Sequence, residues 1–454
     1  VGHWLDIGGD VPGGYNPRAT DAHQEGVRIP PVRLFRDGAL DPAVGAILRA
    51  NTRVPVSNWG DLNGQINALD LGERRLHALL DEAGEETVAA VLATLTARAE
   101  AVMRAELAAL PDGAYLAEDF LDNDGIDDVP LPIRLRLTIA GDRAVLDFGG
   151  SAPACAGPLN ISRATTIAAC YVALKHLFPD VPANGGCLAP VEIRVPAGSI
   201  LAAEAPRPVA GYTETVLRVI DTIFRAFADA APGRAGGGPF ATINALSVSG
   251  WRDDSARWVM FCFFGGGLGG NPETDGLNHG NNPISTATIP PLEILEAAYP
   301  VRFTAWALRE DSAGPGLNRG GLGAVYEIAV EAARGAEAFL LGERGRFAPF
   351  GVSGGGAAAP NRFAWETEEG WRSPPMTSKA FGISLRSGQR VRLETPGGGG
   401  WGDPFRRDPE RVARDVRLGY VSRGAARTAY GVVLAEDGSV DADATAALRG
   451  GRAA

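Results

Sequence analysis

Near the end of the chain, Thr395-Pro396-Gly397-Gly398-Gly399-Gly400-Trp401-Gly402-Asp403-Pro404 places five glycines around one tryptophan. Residues without side chains let a backbone adopt positive φ and approach another surface closely, and an indole among them acts as an anchor. The stretch therefore reads as a rigid fitted loop, and any fold containing it must offer a surface to receive it. Asp403-Pro404 then leads into a short charged helix, for which Asp408 is the cap with Pro409 at the first position. Ser422 caps a second helix that stops near Gly431.

At 454 residues the chain exceeds what one hydrophobic core normally serves, so several substructures are expected. The pattern predicts an α+β fold with a helical arm, a mixed α/β middle and a β-rich C-terminal half closed by short helices. Residues 1–60, rich in Gly, Pro and Asn, read as loops wrapped over a site. Residues 61–125 read as the arm, because Asp61 to Asp81 and Glu85 to Leu110 show helical spacing. In 126–240, Ile133 to Ile139 and Ala144 to Phe148 alternate like a hairpin around Gly141-Asp142. Ile161 to Phe178 and Thr213 to Ala231 read as helices, with a strand at Val191 to Val195 between them. In 241–405, Thr242 to Ser249, Arg257 to Phe264, Val301 to Leu308, Val325 to Val330 and Arg390 to Glu394 read as strands. Residues 406–454 supply the closing helices and a tail.

A net charge of −11, with 43 scattered Lys and Arg, argues against a nucleic-acid partner. The apolar run Val259 to Phe264 is far too short to span a bilayer, so no membrane role is expected. Cys155, Cys170, Cys187 and Cys262 show no C-x-x-C spacing and read as free thiols, and the start lacks a basic segment before an apolar run. A cytoplasmic protein is the expectation.

Chemistry is most strongly suggested by His3-Trp4-Leu5-Asp6. An imidazole and a carboxylate three residues apart can converge on one divalent ion, and Gly8-Gly9 lets the chain turn around it. As a bare pattern, the same pair is more often a surface feature. Glu25 and Arg28 read either as a structural ion pair or as substrate contacts. His279, polar on both sides in its loop, reads as lining of a binding site, and His77 and His176 as packed or capping histidines. The Gly-rich runs lack the phosphate-loop pattern and a dinucleotide fingerprint, so no nucleotide cofactor is expected on this chain. No G-x-S-x-G elbow occurs, and Cys187 reads as a buried small hydrophobe; no catalytic nucleophile is assigned.

Taken together, His3 to Gly9, Asn184-Gly185-Gly186-Cys187, Tyr299-Pro300-Val301-Arg302 and the loop at Thr395 to Pro404 resemble the hydantoinase B family, from Val1 to about Leu434. The resemblance implies the large subunit of an ATP-dependent hydantoinase, 5-oxoprolinase or caprolactamase, related to acetone carboxylase alpha subunits. It implies a hetero-oligomer in which a hydantoinase A-type partner binds ATP and phosphorylates the carbonyl of a cyclic amide. This chain would then deliver water from a divalent metal (Zn, Mn or Fe) held by His3 and Asp6. A second H-x-x-D-like pair, expected upstream, would complete that site. Two other readings remain open. One is an ATP-dependent ketone carboxylase subunit of the acetone or acetophenone type; the other is a noncatalytic scaffold.

Overall fold

The computed structural model describes residues 2–281, 283–285 and 290–451. A short hairpin, β1 (Phe35–Arg36) and β2 (Ala39–Leu40), leads to α1 (Pro42–Ala50), and α2 (Pro55–Ala83) and α3 (Glu85–Ala108) form the long arm. The break between these last two is Gly84, whose φ of 80 is open to glycine at no steric cost. The chain then continues through β3 (Gly113–Leu121), β4 (Leu131–Ala140), β5 (Arg143–Asp147), α4 (Arg163–Leu177), β6 (Val191–Arg194) and α5 (Tyr212–Ala230). Beyond these lie β7 (Ala245–Trp251), β8 (Arg257–Cys262), α6 (Leu292–Ala298), β9 (Val301–Leu308), β10 (Ala324–Val330), β11 (Ala336–Leu341), β12 (Arg362–Thr367), β13 (Gly370–Arg372), β14 (Lys379–Leu385) and β15 (Arg390–Glu394). Three helices close the chain: α7 (Pro409–Arg417), α8 (Arg423–Tyr430) and α9 (Ala442–Gly450).

These elements make an α+β fold with two principal cores. In the first, a four-stranded sheet of order β3-β4-β5-β6 is antiparallel except where β5 meets β6. Its alternating apolar positions, Ile133, Leu135, Leu137 and Ile139, pack with α4, α5 and the end of α3. The strand β3, unforeseen from sequence, pairs with β4 along its whole length. The second core lies between two antiparallel sheets of order β14-β11-β7-β8 and β13-β12-β15-β10-β9. Leu246, Val248, Met260, Ala338 and Leu340 of one sheet face Phe303, Tyr326, Ile328, Val391 and Leu393 of the other.

The glycine loop is received by other glycine segments. Gly270 N–H donates to Gly399 O at 2.9 Å, Gly399 N–H to Gly238 O at 2.8 Å, Gly398 N–H to Gly321 O at 2.9 Å, and Gly400 N–H to Gly356 O at 2.9 Å. A Cβ on Gly399 would stand 1.7 Å from the Phe350 carbonyl oxygen, and one on Gly398 2.0 Å from that of Leu268. Positive φ is not the reason for Gly397 to Gly400; within the run only Gly402 takes it, at 73. Glycine serves there for backbone-on-backbone contact. Trp401 is only half-buried and its Nε1 has no hydrogen-bond partner among the described residues, so main-chain bonds, more than the indole, hold the loop.

The closing helices follow their caps. The Asp408 carboxylate accepts from Glu410 N–H, Ser422 Oγ accepts from Ala425 N–H, and α8 ends on Gly431 at φ 63 and ψ 33.

Candidate functional site

The N-terminal segment is seated by its polar groups. Asp6 is 1% exposed. Its Oδ1 accepts from Gly8 N–H at 3.0 Å and Arg53 N–H at 3.1 Å, and its Oδ2 from Gly13 N–H at 3.0 Å and Arg53 Nη1 at 3.0 Å. Thr52 Oγ1 and Asn58 Nδ2 donate to its carbonyl. The turn these bonds close needs φ of 86 at Gly8 and 78 at Gly9, which glycine supplies. A carboxylate offers roughly four lone-pair directions, and here all four are taken. The His3–Asp6 pair therefore does not fit a divalent ion as a two-point clamp, and Asp6 acts as the pin of a turn. His3 stands exposed beside it, and no group of three or more His, Cys, Asp and Glu placed to hold a metal occurs among the described residues.

Glu25 is likewise committed. Its Oε2 accepts from Val209 N–H at 2.9 Å and its Oε1 from Ala210 N–H at 2.6 Å, just ahead of α5. Burial raises its pKa and these two N–H bonds partly offset the shift. Arg28 is exposed and forms no ion pair with Glu25 among the described residues. Between these anchors Tyr15 packs on Phe261, with ring centroids 5.0 Å apart, and Ser247 Oγ donates to Pro12 O at 2.8 Å. Residues 6–25 thus form a plug between the start of α5 and the outer face of β7 and β8.

Beneath the plug lies a charge cluster that sequence reasoning missed. Glu214, Arg218 and Asp221 stand on one face of α5 at i, i+4 and i+7, all at 0% exposure. Arg218 Nη1 lies 3.3 Å from Asp119 Oδ2, Arg344 Nη2 lies 3.0 Å from the same oxygen and also binds Asp221, and Lys379 Nζ lies 2.6 Å from Glu343 Oε1. Asp122 accepts from Gly345 N–H at 2.8 Å and Arg346 N–H at 2.9 Å. The cluster ties β3 and α5 of the first core to β11, β14 and the residues after β11. Burial, and next the neighbouring Glu343 charge, push the Glu214 carboxyl up to about 8. Burial pushes Glu343 up to about 7, with Lys379 opposing. The signal available in sequence was the i, i+4 and i+7 spacing of Glu214, Arg218 and Asp221, which sets three charges on one face of a helix.

His279 belongs elsewhere. Its Nε2 accepts from Trp306 Nε1 at 3.1 Å and bonds the Tyr326 hydroxyl, and its N–H donates to Leu322 O at 2.9 Å. Burial holds its pKa below the ordinary value. All these partners lie in the second core or its loops, so the structure does not join His279 to the N-terminal plug. The other histidines are peripheral: exposed His77 lies beside Glu73, and His176 Nδ1 bonds Val172 O.

Known proteins share this sequence and fold over nearly the whole chain. A sequence profile of the family described as hydantoinase B/oxoprolinase matches residues 1–404. The chain belongs to the hydantoinase B/oxoprolinase family. It is 33% identical to the caprolactamase subunit beta of Pseudomonas jessenii, over 99% of this chain and 78% of that relative. The crystal structure of the ATP-dependent caprolactamase from the same organism superposes with a TM-score of 0.88 at 31% identity, covering 99% of this chain and 79% of the other. A nucleotide-free acetone carboxylase structure also gives a TM-score of 0.88, at 20% identity over 99% of this chain and 67% of that one, a likeness of fold. This member of the hydantoinase B/oxoprolinase family has no helix, among the described residues, long and apolar enough to cross a membrane.

Proposed function

We propose that this chain is the B-type subunit of an ATP-dependent cyclic-amide hydrolase, opening a hydantoin, 5-oxoproline or lactam ring. The observation that supports this most is the likeness to the ATP-dependent caprolactamase over 99% of the chain, in sequence as well as in fold. A ring amide is resonance-stabilised and its nitrogen leaves poorly, so phosphorylation of the carbonyl oxygen by an A-type partner would activate it before water attacks. The chain's own contribution is a seat in which Asp6 and Glu25 fix the N-terminal segment, with His3 exposed beside it. Of the N-terminal pair, His3 alone has its side chain exposed for a metal ion, and the remaining donors would come from outside the described residues. Metal content of the assembled complex should then fall in His3→Ala, and an unchanged content would remove His3 from the ligand set.

The test of the reaction is a product panel. The complex with its A-type partner is incubated with ATP and, in turn, hydantoin, 5-oxoproline and caprolactam, with labelled bicarbonate and acetone in parallel. Ring-opened product from one of the first three supports the hydrolase reading. Label fixed into acetone, with every ring intact, would replace it with the carboxylase reading that the shared fold also accommodates.

A further inference from the structure

At one end of the β14-β11-β7-β8 sheet, away from the N-terminal plug, the outer face carries a different surface. Ser249 pairs with Val259 of β8 and Glu337 of β11, and Glu337 pairs with Ser384 of β14. Val248 and Ala338 point into the second core, so Ser249 and Glu337 stand on the opposite face. There a cleft of about 520 Å3 opens, lined by Ser249, Trp251, Arg257, Arg334, Ser384 and Arg386 among others.

Two buried polar atoms in that lining lack a partner among the described residues, Ser249 Oγ and Arg257 Nε, and Ser249 is only 1% exposed. A buried donor left unpaired is costly, so a site holding two of them is complete only with an acceptor in it. The Arg257 guanidinium is held in place over Trp251, 4.9 Å from the ring centroid. Neither Arg257 nor Arg334 has a carboxylate partner among the described residues, while Arg386 pairs with Glu368, which does not line the cleft. Glu337 is the only carboxylate in the lining among the described residues, set against the three guanidinium groups of Arg257, Arg334 and Arg386. This concentration of cationic and hydroxyl donors sits on a chain of net charge −11, so it is not a consequence of overall charge.

We propose that this cleft binds a tetrahedral oxyanion of the phosphate class. Guanidinium and hydroxyl donors reach it from three strands and from the turn around Arg334. A tetrahedral anion accepts from several directions at once, whereas a single carboxylate satisfies one planar fork. The site lies outside the N-terminal plug and does not depend on the reaction proposed above.

Isothermal titration of the whole chain with inorganic phosphate tests this, with glycerol phosphate as the ester arm and malonate and chloride as controls at matched ionic strength. Saturable phosphate binding is expected, weakened about tenfold by Arg257→Gln through loss of a charge-assisted bond, and more mildly by Ser249→Ala. It should be unchanged by Arg143→Gln at the exposed start of β5. Binding of the free ion only, or of the ester as well, identifies the source within the phosphate class. The proposal fails if no saturable binding is seen, if malonate or chloride reproduces the effect, or if folded Arg257→Gln binds phosphate like wild type. Should Arg257→Gln melt early, Ser249→Ala decides the question, since a hydroxyl without partners contributes nothing to the fold; phosphate affinity unchanged in that variant would then overturn the site.

Discussion

Asp6 shows how a short motif can suggest one task while the fold already occupies its atoms with another. An imidazole and a carboxylate three residues apart suggest a shared ion, yet four N–H donors already occupy the carboxylate. Asp6→Ala should therefore cost about 3–5 kcal/mol of stability, because it strands buried donors including the Arg53 guanidinium. Exposed His3→Ala should change stability by less than about 0.5 kcal/mol. Urea unfolding of the two variants separates these outcomes, and equal midpoints would make Asp6 an ordinary surface residue. Glu214 permits a pH prediction. Its folded pKa, about 8, is raised above the ordinary value of 4.5, so the folded state holds a proton that the unfolded chain releases. Stability from this group is complete below about pH 4.5 and is lost as pH rises towards 8. Melting temperatures measured from pH 5 to 8.5 should therefore decline more steeply in wild type than in Glu214→Gln; parallel curves would mean that Glu214 ionises normally.

Among the elements, those with a strong period are legible in the sequence and those defined by pairing are not. The arm helices show in their three- and four-residue spacing, and α7 and α8 in their Asp408 and Ser422 caps. The strands β3, β11, β12 and β14 escape such a reading, because each is specified by a neighbour elsewhere in the chain: β11 pairs with β7 and β14, across about 90 and 45 residues. The candidate site is legible only in part for the same reason. Glu25 acts on backbone at 209 and 210, and Asp119 meets Arg344. The glycine loop is legible as a fitted element, but its physical basis differs from the one expected. Its residues need closeness to other main chains, not positive φ. Gly399→Ala, forcing a methyl to within 1.7 Å of a carbonyl oxygen, should cost more than about 4 kcal/mol and prevent accumulation of folded protein. Gly60→Ala, in α2 with open space around it, should instead stabilise by about 0.5–1 kcal/mol. Soluble yield and thermal melting of both variants check the contrast. A Gly399→Ala protein that melts like wild type would show that the glycine seat is looser than its hydrogen bonds indicate.

For the whole molecule, the buried charges joining the two cores matter more than any single surface motif. They make one continuous support from α5 through β3 to β11 and β14. Such a body is suited to holding a reacting group in place for an activated substrate, and nothing in its glycine segments has the pattern of a phosphate loop. The function proposed above divides the labour between this chain and an ATP-binding partner. ATP cleavage and ring opening, followed together in one assay with this chain alone, the A-type partner alone and the two mixed, put that division to the test across the three cyclic amides. No ring opening is expected from either chain by itself, and ring opening coupled to ADP release is expected only in the mixture. Ring opening at full rate by this chain without partner or ATP would contradict the division of labour.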